Sequence, residues 1–242
     1  MPRLSFSRLS LCAAAIGALA ISALTSAPSL AAEDAVVIPP PSLDAQPAGG
    51  ISGMQTAVLA GGCFWGVQGV FQHTAGVANA VSGYAGGSKA TADYQKVSTG
   101  TTGHAESVEI TFDPKKISYG KILQIFFSVV HDPTQLNRQG PDTGTQYRSA
   151  IFTTSDEQKK IAEAYIAQLN AAKLYRKPIV TKVSPLEGFF AAEAYHQDYL
   201  TLHPHQPYIA YNDIPKVENL KKLFAENYSE KPTLVSDIKP TN

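Results

Sequence analysis

Cysteine is almost missing from this chain: two in 242 residues, Cys12 and Cys63. That scarcity excludes an internal disulfide framework. Tryptophan occurs once, and the one present, Trp65, stands two places after Cys63. No sign of charge dominates, with 20 Lys and Arg against 20 Asp and Glu. A nucleic-acid surface or an acidic ligand is therefore not indicated. Internal repeats are also lacking. The longest apolar run, residues 9–24, falls short of the roughly 20 residues a membrane-spanning helix needs.

That run reads as a targeting signal. Arg3 and Arg8 precede it, and Ser29, Leu30 and Ala31 supply small residues around a cleavage point. Residues 1–31 are expected to be a signal peptide, removed on export to the periplasm or beyond, with no membrane span left behind. Cys12 would leave with it. Residues 32–52, with Pro39, Pro40, Pro41, Gly49 and Gly50, read as a semi-extended Pro/Gly-rich tether. Residues 53–228 are expected to form one domain long enough to bury a core, and residues 229–242 a polar tail. Removing the signal peptide leaves 18 basic against 20 acidic residues, a net charge near −2.

Within the domain, residues 56–60 (TAVLA) suit a buried strand that Gly61 and Gly62 break. From Cys63 the spacing turns helical through Phe64, Val67, Val70 and Phe71, with Gly76 as a stop. Residues 83–103 read as a long loop. Residues 106–112 (ESVEITF) alternate: Val108, Ile110 and Phe112 share one face, with Glu106 in phase, while Glu109 lies on the other. Ser118 caps a helix striped by Tyr119, Ile122, Leu123, Phe126 and Val130, and residues 132–146 form a polar loop. A strand over 147–154, a helix from the Ser155 and Gln158 capping box to about Ala172, and a strand over 179–183 follow. Shorter helices are expected near 190–200 and 217–228. The sum is an α+β fold, a compact two-layer sandwich with a mixed central sheet, flanking helices and long loops.

The chemistry gathers around Cys63. An unpaired thiol in an oxidising compartment is either buried and inert or kept for its reactivity. Position at a strand-to-helix glycine turn favours reactivity, because amide N–H groups at a helix start carry positive charge and stabilise thiolate. Phe64 and Trp65 diverge by about 100° on a helix, so at least one is expected at the rim, as an apolar wall for a methyl or thioether group. Glu106, in register with a buried face, is expected to lose water, hold its proton and act as a general acid; at a strand end it could instead reach solvent. Glu109 should be ordinary. His196, His203 and His205 lack carboxylate or cysteine companions at ligand spacing, so no metal is expected.

These segments, GGCFWG at 61–66, TGHAE at 102–106, HDPTQ at 131–135 and RQGPDTGTQYRS at 138–149, closely resemble the peptide methionine sulfoxide reductase A family, with HQDYL at 196–200 as a further match. The resemblance implies that Cys63 attacks the sulfoxide sulfur of a methionine S-sulfoxide and becomes a sulfenic acid. It implies that Phe64 and Trp65 hold the substrate methyl, that Glu106 protonates the oxygen, that Tyr94 and Tyr147 hydrogen-bond to it, and that Asp142 joins the polar network. No cofactor or metal is implied. Substrates would be oxidised proteins, peptides and free methionine sulfoxide, handled by a monomer in repair of oxidative damage. One departure matters: no cysteine follows Cys63, so an outside thiol (thioredoxin-like, glutaredoxin or a small thiol) would have to regenerate it. From the residues alone, other readings stay open: a cysteine hydrolase or acyltransferase using Cys63 with His104 or His131, a peroxide-reducing thiol enzyme, or a peptide-binding module without turnover.

Overall fold

The computed structural model describes Met1, residues 34–45 and residues 53–237. The expected signal peptide and the ends of the tether and tail lie outside them. Among the described residues there are eight strands: β1 (Gln55–Gly61), β2 (Val77–Ala85), β3 (Ala105–Phe112), β4 (Arg138–Gln139), β5 (Asp142–Thr143), β6 (Ser149–Thr153), β7 (Lys182–Pro185) and β8 (Phe189–Ala191). The α-helices are α1 (Phe64–Gln72), α2 (Tyr94–Val97), α3 (Tyr119–Ile125), α4 (Asp156–Ala172), α5 (Tyr199–Leu202) and α6 (Ile214–Leu223). Two π-helical segments, Phe126–Val130 and Ile209–Asp213, extend α3 and lead into α6.

Six strands form a mixed sheet in the order β7-β6-β1-β3-β2-β8, antiparallel except for the β6–β7 pair that α4 bridges. Its two edges are joined by only three residues, Leu186 to Gly188. Five strand spacings laid flat would need about 24 Å, whereas the chain from Pro185 to Phe189 reaches at most about 14 Å. The sheet must therefore curl until its edges approach. A methyl added at Gly86, just past β2, would meet the ring of Phe152 on β6 at 3.1 Å, although two strands separate them in the sheet.

The curl explains why the two faces differ in side-chain size. The outer face carries Leu59, Val108, Ile110 and Phe112 against Val67, Phe71, Ile122, Phe126 and Tyr165 of the helices. Each such fully buried side chain contributes roughly 1.5–3 kcal/mol. The inner face is lined by Val58, Ala60, Ala85, Ala105, Ala150 and Phe152, closed by Leu186 and Phe189. Small side chains fit where a sheet folds inward. Glu109, on that inner face opposite Val58, is half-buried, and burial pushes its carboxyl upward. The expectation of an ordinary Glu109 fails because the curl covers a face that an open sheet would leave wet.

Several local expectations shift. The stretch 83–103 holds the end of β2 and the short helix α2 as well as loop, and the alternation of β2 escapes a sequence reading because Asn79, Ser82 and Gly83 interrupt it. Residues 190–200 are not one helix but the end of β8, a 3-10 turn and the start of α5. The loop 132–146 contains the β4–β5 hairpin. Helix α1 stops at Gln72, short of Gly76, whose φ is +95°. The capping box forms with a variation: Ser155 Oγ accepts from Gln158 N at 3.1 Å, while Gln158 Oε1 accepts from Thr154 N.

Over residues 34–45 the tether is a docked strap. Val36 N–H donates to the Ser128 carbonyl, Gln124 Nε2 donates to the Ile38 carbonyl, and Tyr165 Oη donates to the Pro39 carbonyl. Asp44 accepts from Ser118 Oγ at 2.5 Å and Gly120 N at 2.7 Å, sharing the N-terminal cap of α3. The tail docks too: Asp198 accepts from Val235 N and Ser236 N, and Thr233 N donates to the Gln72 carbonyl.

Candidate active site

Cys63 occupies the N-cap of α1, immediately after β1 leaves the centre of the sheet. The glycine before it is required: Gly62 has φ +94°, and a Cβ there would lie 2.7 Å from Gln139. One turn on, a Cβ at Gly66 would lie 2.2 Å from Asp213 Oδ1. The thiol-bearing turn is thus pressed against the 138–143 hairpin on one side and the C-terminal segment on the other. Cys63 keeps 8% of its surface exposed, so its environment is enclosed but not sealed.

Glu106 meets Cys63 at the same helix start. The phase of β3 carries it onto the outer face, where its Oε2 accepts the Phe64 N–H at 3.0 Å. Burial raises its pKa to about 8; the Phe64 N–H opposes that rise, and Asp142 and Asp213 add to it. At neutral pH the carboxyl is predominantly an acid, as the strand register predicts.

The expectation of a resting thiolate is not met. Burial is the largest influence on the Cys63 thiol and pushes it up, Glu106, Asp213 and Asp142 add to this, and the Trp65 N–H only partly opposes them. A helix start favours an anion by roughly 0.3–1 kcal/mol, about 2 at most. Each pKa unit lost to desolvation costs about 1.36 kcal/mol, so burial wins. Cys63 rests as a thiol beside a protonated carboxyl.

Tyr94, the first residue of α2, and Tyr147, closing a 3-10 turn before β6, both lie within electrostatic reach of Cys63 and Glu106. Burial pushes both phenols up, so they remain O–H donors. Tyr94 is held by its backbone N–H, which donates to Glu193 Oε1 at 2.9 Å, the other Glu193 oxygen accepting from Tyr84 Oη. Asp142, on β5, acts on the same thiol and carboxyl. Phe64 is buried beneath the site against Tyr84 and His196, while Trp65 is the rim residue, stacked on Tyr199 at 4.0 Å and 11°. All seven residues singled out from sequence come together.

Other members of the site were not legible. Trp65 Nε1 donates to His196 Nδ1 at 3.2 Å. Tyr208 donates a short hydrogen bond to Asp142 Oδ2 and meets Trp65 edge-on at 6.1 Å. Asp213, fully buried, pairs with Lys216 at 3.1 Å behind α1. His196 carried a signal, as part of the HQDYL segment; nothing in the sequence marks Tyr208 or Asp213.

The hydrolase alternative calls on His104 or His131. His104 Nε2 lies 2.9 Å from the Ser88 carbonyl. His131 is buried between the Phe126 carbonyl and Ser149 Oγ, and burial lowers its pKa to about 3. Among the described residues, no three metal-capable side chains converge and no helix is long and apolar enough to cross a membrane.

Comparison with known proteins agrees with this geometry. The family model described as peptide methionine sulfoxide reductase matches residues 55–228. Peptide methionine sulfoxide reductase MsrA 2 of Mesorhizobium japonicum is 65% identical over 183 residues, spanning 76% of this chain and 94% of that protein. The MsrA 2 of Synechocystis is 49% identical, spanning 81% and 90%. The solved structure of methionine sulfoxide reductase A from Corynebacterium diphtheriae superposes with a TM-score of 0.56 at 37% identity, covering 66% of this chain and 80% of that one. With a thiol capping a helix beside a protonated glutamic acid, and matched over residues 55–228, the chain belongs to the peptide methionine sulfoxide reductase family.

Proposed function

We propose that Cys63 reduces methionine S-sulfoxide, peptide-bound or free, by direct attack on the sulfoxide sulfur. Trp65 forms the wall for the substrate methyl with Phe64 beneath it, and the phenols of Tyr94 and Tyr147 bind the oxygen. Glu106 gives its proton to that oxygen as the Cys63 sulfur bonds, and is restored by the proton the thiol gives up. The sulfur–oxygen bond of the substrate breaks and releases hydroxide, which adds to the Cys63 sulfur as the new sulfur–sulfur bond breaks; methionine leaves as a thioether and Cys63 is left a sulfenic acid, two electrons having passed from cysteine to methionine sulfur. Because both partners start neutral, the proton moves without separating charge inside a buried site, which is how a high thiol pKa is compatible with attack.

The observation that carries this reading is the Glu106 carboxyl, hydrogen-bonded by the Phe64 N–H next to Cys63 and holding its proton up to about pH 8. Regeneration takes two equivalents of an outside thiol: the first condenses with the sulfenic acid and releases water, the second frees Cys63 as an external disulfide forms. A thioredoxin-like protein, a glutaredoxin or a small thiol suits that role, since the chain has no cysteine after Cys63. The basic and apolar pattern of residues 1–31 supports a reading in which the enzyme is exported and works in the periplasm, as a monomer, on oxidised proteins. The test is a single turnover without reductant, followed by mass spectrometry. One methionine per enzyme and one added oxygen on the Cys63 peptide are expected; turnover without oxygen on Cys63 overturns the mechanism.

A further inference from the structure

Trp65, the wall proposed for the substrate methyl, lies on a face of α1 that residues 198–200 cover from end to end. Tyr199 stacks on its indole at 4.0 Å and 11°. One turn on, Gln68 Oε1 accepts the Asp198 N–H at 2.9 Å, and a Cβ added at Gly69 would lie 2.5 Å from Leu200 Cδ1. At the end of the helix, Gln72 Nε2 donates to Asp198 Oδ1 at 2.7 Å. Positions 65, 68, 69 and 72 share one helical face, so the start of α5 is laid along it as a unit. Asp198 is the pivot. It is 2% exposed, and its φ of +57° lies in the left-handed region that aspartate tolerates better than most residues. Its carboxyl takes two more bonds, from Val235 N to Oδ1 at 2.9 Å and from Ser236 N to Oδ2 at 3.1 Å. Thr233 N donates to the Gln72 carbonyl at 2.9 Å, one of the carbonyls that a helix end leaves free. Residues 233–236 thus close over the joint between α1 and α5, and they lie past residue 228, where the family match ends.

We propose that Asp198 is a positioning residue: its carboxyl clasps the C-terminal tail to α1, and the clasp holds Tyr199 flat on Trp65, so that the methyl wall is formed before substrate arrives. The path from tail to wall is short. Asp198 and Tyr199 are adjacent, and the left-handed turn at Asp198 fixes the direction in which Tyr199 leaves it. Helix α5 has only four residues, too few to hold itself. The side of α1 and the tail hold it instead. Trp65 is tied at another edge, its Nε1 donating to His196 Nδ1, so releasing α5 bares one face of an indole that stays tethered. A wall that must first be assembled binds its ligand more weakly, in proportion to the time it is absent. Cys63 and Glu106 meet at the opposite end of α1 from Gln72, through the Phe64 N–H, so the clasp bears on binding and not on the bond-making step.

The inference rests on the reductase reading, and the two can fail separately. Trp65 is the only tryptophan, so its emission reports on this wall even without substrate. Asp198→Asn keeps the backbone turn but replaces an acceptor oxygen with an amide N–H₂ that meets donors. It should shift Trp65 emission to the red and increase its quenching by acrylamide. In single turnovers without reductant, it should raise the half-saturating concentration of a methionine S-sulfoxide peptide about tenfold. The plateau rate should stay within about twofold, a split that a general loss of structure would not give. Val235→Pro removes one tail N–H at the first position of a 3-10 turn, which suits proline. It should move both readings the same way, and the double variant should go no further than Asp198→Asn alone. Should Asp198→Asn not fold, Val235→Pro carries the test. Unchanged emission and half-saturation in Asp198→Asn, a plateau that falls while half-saturation holds, a silent Val235→Pro, or effects that multiply in the double variant each overturn the inference. If the unaltered chain yields no methionine, the reductase reading has failed, and the emission of the variants still decides whether the tail sets the wall.

Discussion

Two parts of the chain meet at the sulfur, and they are built by opposite means. The turn from β1 into α1 is local: strand, two glycines, cysteine and helix follow one another within residues 55–72. The segment 193–216 is assembled from pieces too short to stand alone, a 3-10 turn, α5, a π-helical stretch and the start of α6. It holds together through long-range bonds, such as Gln197 Nε2 to the Ser82 carbonyl and Asp198 N to Gln68 Oε1. The first part supplies the reacting atoms. The second decides how dry and how crowded they are, and through that crowding it makes the resting thiol neutral.

If that division holds, changes in the first part should stop the reaction and changes in the second should tune it. Cys63→Ser should abolish sulfoxide reduction altogether; measurable single turnover would break the comparison outright. Glu106→Gln should lower the chemical step by about 10²–10⁴-fold with little change in substrate affinity, the usual worth of a general acid. In the unaltered enzyme the same step should decline as pH rises through about 8, where Glu106 loses its proton, and the variant should lose that limb. Stability follows the same sign. The folded pKa of Glu106 lies above its unfolded value of 4.5, so its contribution is full below pH 4.5 and is lost on the way to about 8. Glu106→Gln should therefore stabilise the fold at pH 8.5 relative to pH 5, by an amount on the order of a few kcal/mol read from urea unfolding.

The contact between the two parts can be probed at smaller cost. Gly66→Ala would drive a methyl into Asp213 Oδ1 at 2.2 Å and Lys216 Nζ at 2.9 Å, and should destabilise the fold by about 1–3 kcal/mol. Gly69→Ala meets Leu200, its Cδ1 at 2.5 Å and its Cγ at 3.2 Å, an aliphatic side chain rather than an ion pair, so its effect should be smaller in the same unfolding assay. Equal effects would mean that the buried ion pair is no stiffer than an aliphatic end.

How much of this was legible follows from the same division. Helix α1, strand β3, the Ser118 cap and the Ser155 capping box rest on short-range pattern, and each appears where the spacing puts it. Glu106 was readable because strand parity is local. Tyr94, Tyr147 and Asp142 were reached only through family resemblance, since a loop tyrosine and a turn aspartate carry no periodic signal. Tyr208 was missed because its partner Asp142 lies 66 residues away, and Asp213 because what sets it at the site is its approach to Gly66 of α1 rather than its local pair with Lys216. The resting thiolate was misjudged for a related reason: a helix start is visible in sequence, but the three carboxyl groups and the burial that outweigh it arrive from distant segments.

The curl of the sheet bears on the company this enzyme keeps. Proteins damaged at methionine are often partly unravelled, and unravelled chains seek exposed strand edges to pair with. Here the two terminal strands, β7 and β8, are only four and three residues long, and the three-residue link between them turns one toward the other. A reductase so shaped offers any sticky chain that meets it little backbone on which to aggregate.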